Sequence, residues 1–211
     1  MSFKQIKKGV VKKDLKREIA LFIDGIGLDL ASKRLKKKID LQGLVKGLTG
    51  GIKPIISRYY TLIPFEDDSR HRSYLDAVHR AGLDVVVKRL PPKHIDRQIN
   101  VYPEISADLV AFGLGHKDFS NLSRHIPVDE NFNQSEKDNK DSMQNFKSGE
   151  KTQKIATIVC PSWELEYPIL LVKEFGVDTI SADFGEFAGR NILKNASKWI
   201  DLSDSMSIWK E

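Results

Sequence analysis

The carboxylates that could do chemistry in this chain stand where apolar runs end. Asp24 closes the apolar part of "ALFIDGIGLDLA" (20–31), with Gly25 directly after it and Gly27 two residues further on. Glu104 and Asp108 lie one helical turn apart in "NVYPEISAD" (100–108), and Glu164 follows Ser162 in "CPSWELE" (160–166). Asp183 and Glu186 come at the end of another apolar run, "VDTISAD". Carboxylate oxygens gathered at one point are hard ligands for Mg²⁺ or Mn²⁺. Such an ion lowers the pKa of a bound water and balances phosphate charge. Each acid also has a plainer reading. Asp-Gly is a common turn pair, so Asp24 reads as a strand-end turn as readily as a ligand. Asp108 fits a solvated helix face, Glu104 and Glu164 fit first turns where the helix dipole favours acids, and Asp183 and Glu186 fit loops.

A glycine-rich phosphate loop is the competing chemistry for "GIGLDLA". The third glycine of a dinucleotide fingerprint is missing, and "YYTL" ends the second apolar run with no acid to hold a ribose. Asp24 would also direct negative charge at the place a phosphate should occupy, a conflict that a divalent cation removes. The histidines at 71, 79, 94, 116 and 125 have no metal-ligand spacing and read as surface residues. Cys160, the one cysteine, excludes an intramolecular disulfide and a cysteine-built zinc site, and reads as a small buried hydrophobe. Trp163, beside Glu164, could stack on a base, although a core or rim position is the first expectation.

The elements that must position these residues alternate. "EIALFID" (18–24) predicts a buried strand, and "LDLASKRLKKKI" (28–39) a helix with Leu28, Ala31, Leu35 and Ile39 on one face. "KPIISRYYTLI" (53–63) predicts a strand, "EDDSRHRSYLDAVHRAG" (66–82) a helix stopped by Gly82, and "LDVVVKRL" (83–90) a third strand. "EISADLVAFGLGH" (104–116) predicts a helix, "IATIVC" (155–160) a strand, "SWELEYPILLVKEFG" (162–176) a helix capped by Ser162, and "VDTISAD" (177–183) a strand. A glycine-interrupted helix near 186–196 and a short "KWIDLS" segment follow. Residues 129–154 contain three apolar residues in 26, too few to bury, which predicts a mobile insertion. The β-α-β order predicts an α/β domain with a mainly parallel central sheet between helices, a three-layer Rossmann-like arrangement. In such sheets ligands bind outside the carboxyl ends of the strands, which collects Asp24, Glu104, Ser162 to Glu164, and Asp183.

With 211 residues, 40% hydrophobic and 30% charged, the chain has the composition of one soluble domain, and no apolar run approaches the roughly 20 residues of a membrane span. The N-terminus lacks the apolar stretch of a secretory signal, so a cytoplasmic protein is expected. The net charge of +5 is unevenly spread: residues 1–38 hold twelve Lys or Arg against four Asp or Glu. This segment would attract a polyphosphate backbone, or would simply be a basic tail and first helix that keep the chain soluble.

The series "FIDG", "YY", "EDD", "RAG" leading into "VVVKRL", "NVYPEISAD", "IATIVC" and "FGVDTISA" resembles, in order and spacing, the NYN domain of the LabA-like group, within the PIN-like ribonuclease fold. The resemblance spans residues 18–203, flanked by a basic segment (1–17) and a tail (204–211). It implies an endoribonuclease that hydrolyses RNA phosphodiesters with Mg²⁺ or Mn²⁺. Asp24 matches the first acidic position of the family and Asp108 the closing aspartate of the second motif, and Glu104 and Glu164 would complete the cluster. Three positions depart from the pattern. Gly27 stands where asparagine is common, Tyr102 where the second motif has its first aspartate, and Ser162 in place of an aspartate after the fourth strand. The departures support an alternative, a degenerate NYN-like domain that binds RNA or a protein partner, with homodimerisation also open.

Overall fold

The computed structural model describes residues 16–65, 69–92, 98–119, 152–185, 194–203 and 208–210. Most of the basic segment, Glu186, the start of the helix expected near 186–196 and nearly all of the 129–154 insertion lie outside these residues.

The described elements are β1 (Lys16–Asp24), α1 (Gly25–Leu35), α2 (Leu41–Thr49), β2 (Ile56–Ile63), α3 (Ser69–Arg80), β3 (Asp84–Arg89), α4 (Tyr102–Gly113), β4 (Thr152–Val159), a 3₁₀ turn (Trp163–Leu165), α5 (Glu166–Glu174), β5 (Val177–Asp183) and β6 (Lys198–Asp201). Among the described residues the strands form one six-stranded sheet in the order β3-β2-β1-β4-β5-β6. Every neighbouring pair is parallel. The fold is therefore α/β, a three-layer Rossmann-like arrangement, as the β-α-β order predicts. The chain leaves β1 outward on one side through β2 and β3, then returns through α4 to place β4 on the other side. The strand direction of progress thus reverses between β1 and β4, and that crevice is where open parallel sheets bind ligands.

Alternation along the strands builds two cores. Ala20 and Phe22 of β1 face one layer with Tyr60, Ile105, Leu109, Phe112, Ile158 and Ile169, under α4 and α5. Leu21 and Ile23 face the other with Leu28, Ala31, Leu44, Tyr59 and Val78, under α1, α2 and α3. Strands buried on both faces read as continuous apolar runs, which is why "ALFI" and "IATIV" were legible as strands.

Three features depart from the sequence expectation. α2 was not foreseen: "LQGLVKGLT" carries two glycines that weaken its helical signal, yet Asp40 caps it by accepting from Gln42 N at 3.1 Å and Leu44 is fully buried. β4 begins at Thr152, inside the expected insertion, because residues 152–154 pair with Lys16–Glu18 of β1. Within the stretch read as a tail, the described residues 208–210 pack on the domain: Ile208 is buried, and Trp209 bridges to Ile39 and lies 5.6 Å from the Phe184 ring.

Candidate functional site

Asp24 lies where the topology places a ligand, at the carboxyl end of β1 beside the β1/β4 crevice. Its carboxylate is already committed. Oδ1 accepts from Ile26 N at 3.0 Å and Gly27 N at 3.1 Å, the N-cap of α1. Only 1% of Asp24 is exposed. Burial pushes its carboxyl above the ordinary range, opposed by the two backbone donors and Tyr102.

Tyr102 opens α4 and is partly buried, its backbone N donates to Asn100 Oδ1 at 3.2 Å, and its hydroxyl interacts electrostatically with Asp24 and Ser162. Burial, reinforced by the negative charge of Asp24, lifts its hydroxyl to about 12, so it serves as a donor at neutral pH. Tyr102 thus brings a protonated hydroxyl from α4 to the carboxyl ends of β1 and β4.

The glycines have packing roles. A Cβ on Gly25 would lie 2.3 Å from the buried Tyr59 ring, and one on Gly27 would lie 2.9 Å from Cys160 Cβ and 3.1 Å from Asp24 Oδ2. Cys160 reaches that position in a left-handed backbone conformation, φ 53°. Gly27 therefore marks a close approach of α1 to the β4 turn, where an asparagine does not fit without movement. Burial raises the Cys160 thiol well above its usual range, reinforced by the negative charge of Asp183. Cys160 is the buried small residue expected from sequence.

Asp108 is placed differently from the expectation of a helix-surface or metal-ligating carboxylate. Arg58 and Tyr60 share one face of β2 under α4, and both reach it: Arg58 Nη1 at 2.5 Å and the Tyr60 hydroxyl at 2.7 Å, each to Oδ2. Arg58 Nη2 also donates to Phe119 O at 2.8 Å. Arg58 is 2% exposed and Asp108 7%. A guanidinium inside a core requires a counter-charge, and Asp108 supplies it from the helix above. The carboxylate therefore points at the middle of β2.

Glu104 and Glu164 are nearer the surface and linked to other partners. Lys88, at the end of β3, approaches Glu104 Oε1 at 2.8 Å and donates to Asn100 O at 3.0 Å. Asn100 Nδ2 donates to Glu164 Oε2 at 3.0 Å. Lys88, Asn100 and the two glutamates form a chain of contacts along the carboxyl edge. The acids expected to form one cluster are thus divided: Asp24 caps a helix, Asp108 neutralises an arginine, and Glu104 neutralises a lysine. Among the described residues no group of three or more His, Cys, Asp or Glu is arranged to hold a metal ion. The expected Mg²⁺ or Mn²⁺ ligand set does not fit this arrangement.

Asp183, at the end of β5, accepts from Phe184 N at 2.8 Å and is pushed up to about 6 by burial, with Asp201 and Asp24 adding negative charge. It lines a cavity of about 150 Å³ with Gly27, Leu30, Ala31, Arg34, Cys160 and Pro161. Trp163, expected in the core or at its rim, is 73% exposed, one turn from Tyr167 at 72%. Arg58, Lys88 and Asn100 were not among the sequence candidates. For Arg58 a signal existed, because one arginine inside the apolar strand "ISRYYTLI" demands a buried acid.

No helix among the described residues is long and apolar enough to cross a membrane. No family model matches the chain, and no curated protein does. The crystal structure of a Vibrio parahaemolyticus protein of unknown function superposes with a TM-score of 0.66 and 9% identity, covering 94% of this chain and 99% of that one. At that identity the likeness concerns the fold alone.

Proposed function

We propose that this chain is an NYN-like, PIN-like domain that binds RNA without metal-dependent cleavage. One observation carries the reading: Asp108 and Glu104 are already ion-paired with Arg58 and Lys88. A phosphodiester hydrolase of the carboxylate type needs uncommitted negative charge at one point to hold its cation. Here the protein's own cations take up two of the four acids, and Oδ1 of Asp24 is held by two backbone donors in capping α1. RNA as ligand rests on the resemblance and on the concentration of positive charge in residues 1–38.

The full chain is incubated with fluorescently labelled single-stranded RNA in Mg²⁺ or Mn²⁺, and cleavage and binding are read in parallel. Salt-sensitive binding with no cutting above the buffer control is expected. Metal-dependent cutting that Asp24→Asn abolishes overturns this reading in favour of the endoribonuclease. That second reading has one observation of its own. The Lys88–Glu104 pair is partly exposed, at 32% and 36% of its side chains, and such pairs are worth at most about 1 kcal/mol. A divalent ion that displaces Lys88 would meet Glu104, with Glu164 one contact away through Asn100.

A further inference from the structure

We propose that Lys36, Lys37, Lys38 and Lys210 form the surface that contacts the phosphate backbone of single-stranded RNA, an inference that rests on the RNA-binding reading above. In sequence, "KRLKKK" (33–38) looks like the basic end of a helix, where cations complement the dipole. That explanation covers only Lys33 and Arg34, which occupy the last turn of α1, and Lys33 is paired with Asp29 at 2.6 Å. The next three lysines lie beyond the helix. Lys36 turns the chain in a left-handed conformation, φ 52°, and all three side chains are exposed.

The fold then adds a cation from the far end of the chain. Ile39 bridges to Trp209, and Lys210 N donates to Lys38 O at 2.9 Å, which sets exposed Lys210 beside the lysine run. Lys37 Nζ lies 5.0 Å from the centre of the Trp209 ring, so the patch has an ordered aromatic floor. The adjacent acid, Asp40, keeps its charge but directs its carboxylate to Gln42 N at the start of α2. Closely spaced ammonium groups repel one another, and a partner bearing regularly spaced negative charges relieves the repulsion. A nucleic-acid backbone is such a partner, with lysine acting as a point-charge phosphate contact.

The test is fluorescence anisotropy of a labelled single-stranded RNA with the full chain at several salt concentrations. The patch variant is Lys36→Glu, Lys38→Glu, Lys210→Glu. A control of equal charge change, Lys53→Glu, Lys173→Glu, Lys198→Glu, separates this surface from net charge. The patch variant should bind at least about tenfold more weakly, and its slope of log K against log salt should be shallower by about 2, at ~0.7 per lost phosphate contact. The control should keep the wild-type slope, and unchanged melting temperatures verify that both variants fold. Equal weakening in patch and control variants overturns the proposal, as does a patch variant that binds like wild type; the RNA-binding reading survives both. Wild type that fails to bind RNA at low salt removes that reading and this one together. Wild type that binds phosphatidylserine vesicles or polyglutamate through the patch more tightly than RNA assigns the surface to another class of anion and refutes the assignment to RNA.

Discussion

Replacing Asp108 separates a structural carboxylate from a metal ligand. In Asp108→Asn the Arg58 guanidinium stays 2% exposed and keeps its bond to Phe119 O, but loses the charge 2.5 Å away on Oδ2. Breaking a buried ion pair by removing one partner costs about 3–5 kcal/mol, because the other charge remains desolvated. In Asp108→Ala the Tyr60 hydroxyl also loses its acceptor, adding about 1 kcal/mol. Against a typical domain stability of roughly 5–15 kcal/mol, each variant should fold but unfold at markedly lower urea. Arg58→Met should cost about the same, and the double change Arg58→Met, Asp108→Leu should recover most of the loss, since an apolar pair of similar volume carries no desolvation penalty. Urea unfolding followed by far-ultraviolet circular dichroism, in EDTA at neutral pH, measures wild type and the four variants. A metal ligand gives the opposite sign: without metal, removing one of several clustered carboxylates relieves repulsion and stabilises the fold. If Asp108→Asn matches or exceeds wild type in EDTA, or if the double change is as unstable as the sum of the singles, the structural assignment is wrong.

Asp183 gives a pH-dependent signature. Its folded carboxyl, at about 6, lies above the ordinary 3.8, so the folded state binds the extra proton and the ionised form is penalised. The penalty is absent near pH 4, grows as pH rises through 6, and reaches at most about 3 kcal/mol. Asp183→Asn, whose Oδ1 can still accept from Phe184 N, should therefore be more stable than wild type at pH 8 and equal to it near pH 4. Melting temperatures across that range should converge on acidification; a gap that is constant or widens toward pH 4 contradicts the assignment. For Gly27→Ala, the 2.9 Å approach to Cys160 Cβ predicts overpacking of about 1–3 kcal/mol. In a Cys160→Gly background, which removes that Cβ and suits the left-handed φ of 53°, the cost of Gly27→Ala should fall by about 1 kcal/mol or more. Urea midpoints of the four proteins give this coupling, and its absence would mean that another contact limits position 27.

What was legible in the sequence and what was not divides along a physical line. Strands buried on both faces announce themselves as unbroken apolar runs, so the sheet and the position of Asp24 at its carboxyl edge followed from local pattern. α2 did not, because its stability comes from burying Leu44 and from its Asp40 cap, while its glycines argue locally against a helix. The acids were harder for a different reason. A carboxylate's role depends on which group of opposite charge the fold brings to it, and those groups lie far away in sequence: Arg58 is 50 residues from Asp108, and Lys88 is 16 from Glu104. Motif spacing locates the acids and is silent about the bases. Arg58, a cation in a strand that must be buried, is the one local signal that an acid is required inside the core. Tyr102 makes the same point: its type alone says nothing of Asp24 and Ser162, the groups with which its hydroxyl interacts once the fold is formed. Asp108 and Glu104, each held by a cation that the fold brings from another strand, are structural carboxylates by their contacts, and the Arg58–Asp108 double substitution tests whether the buried pair holds the fold together.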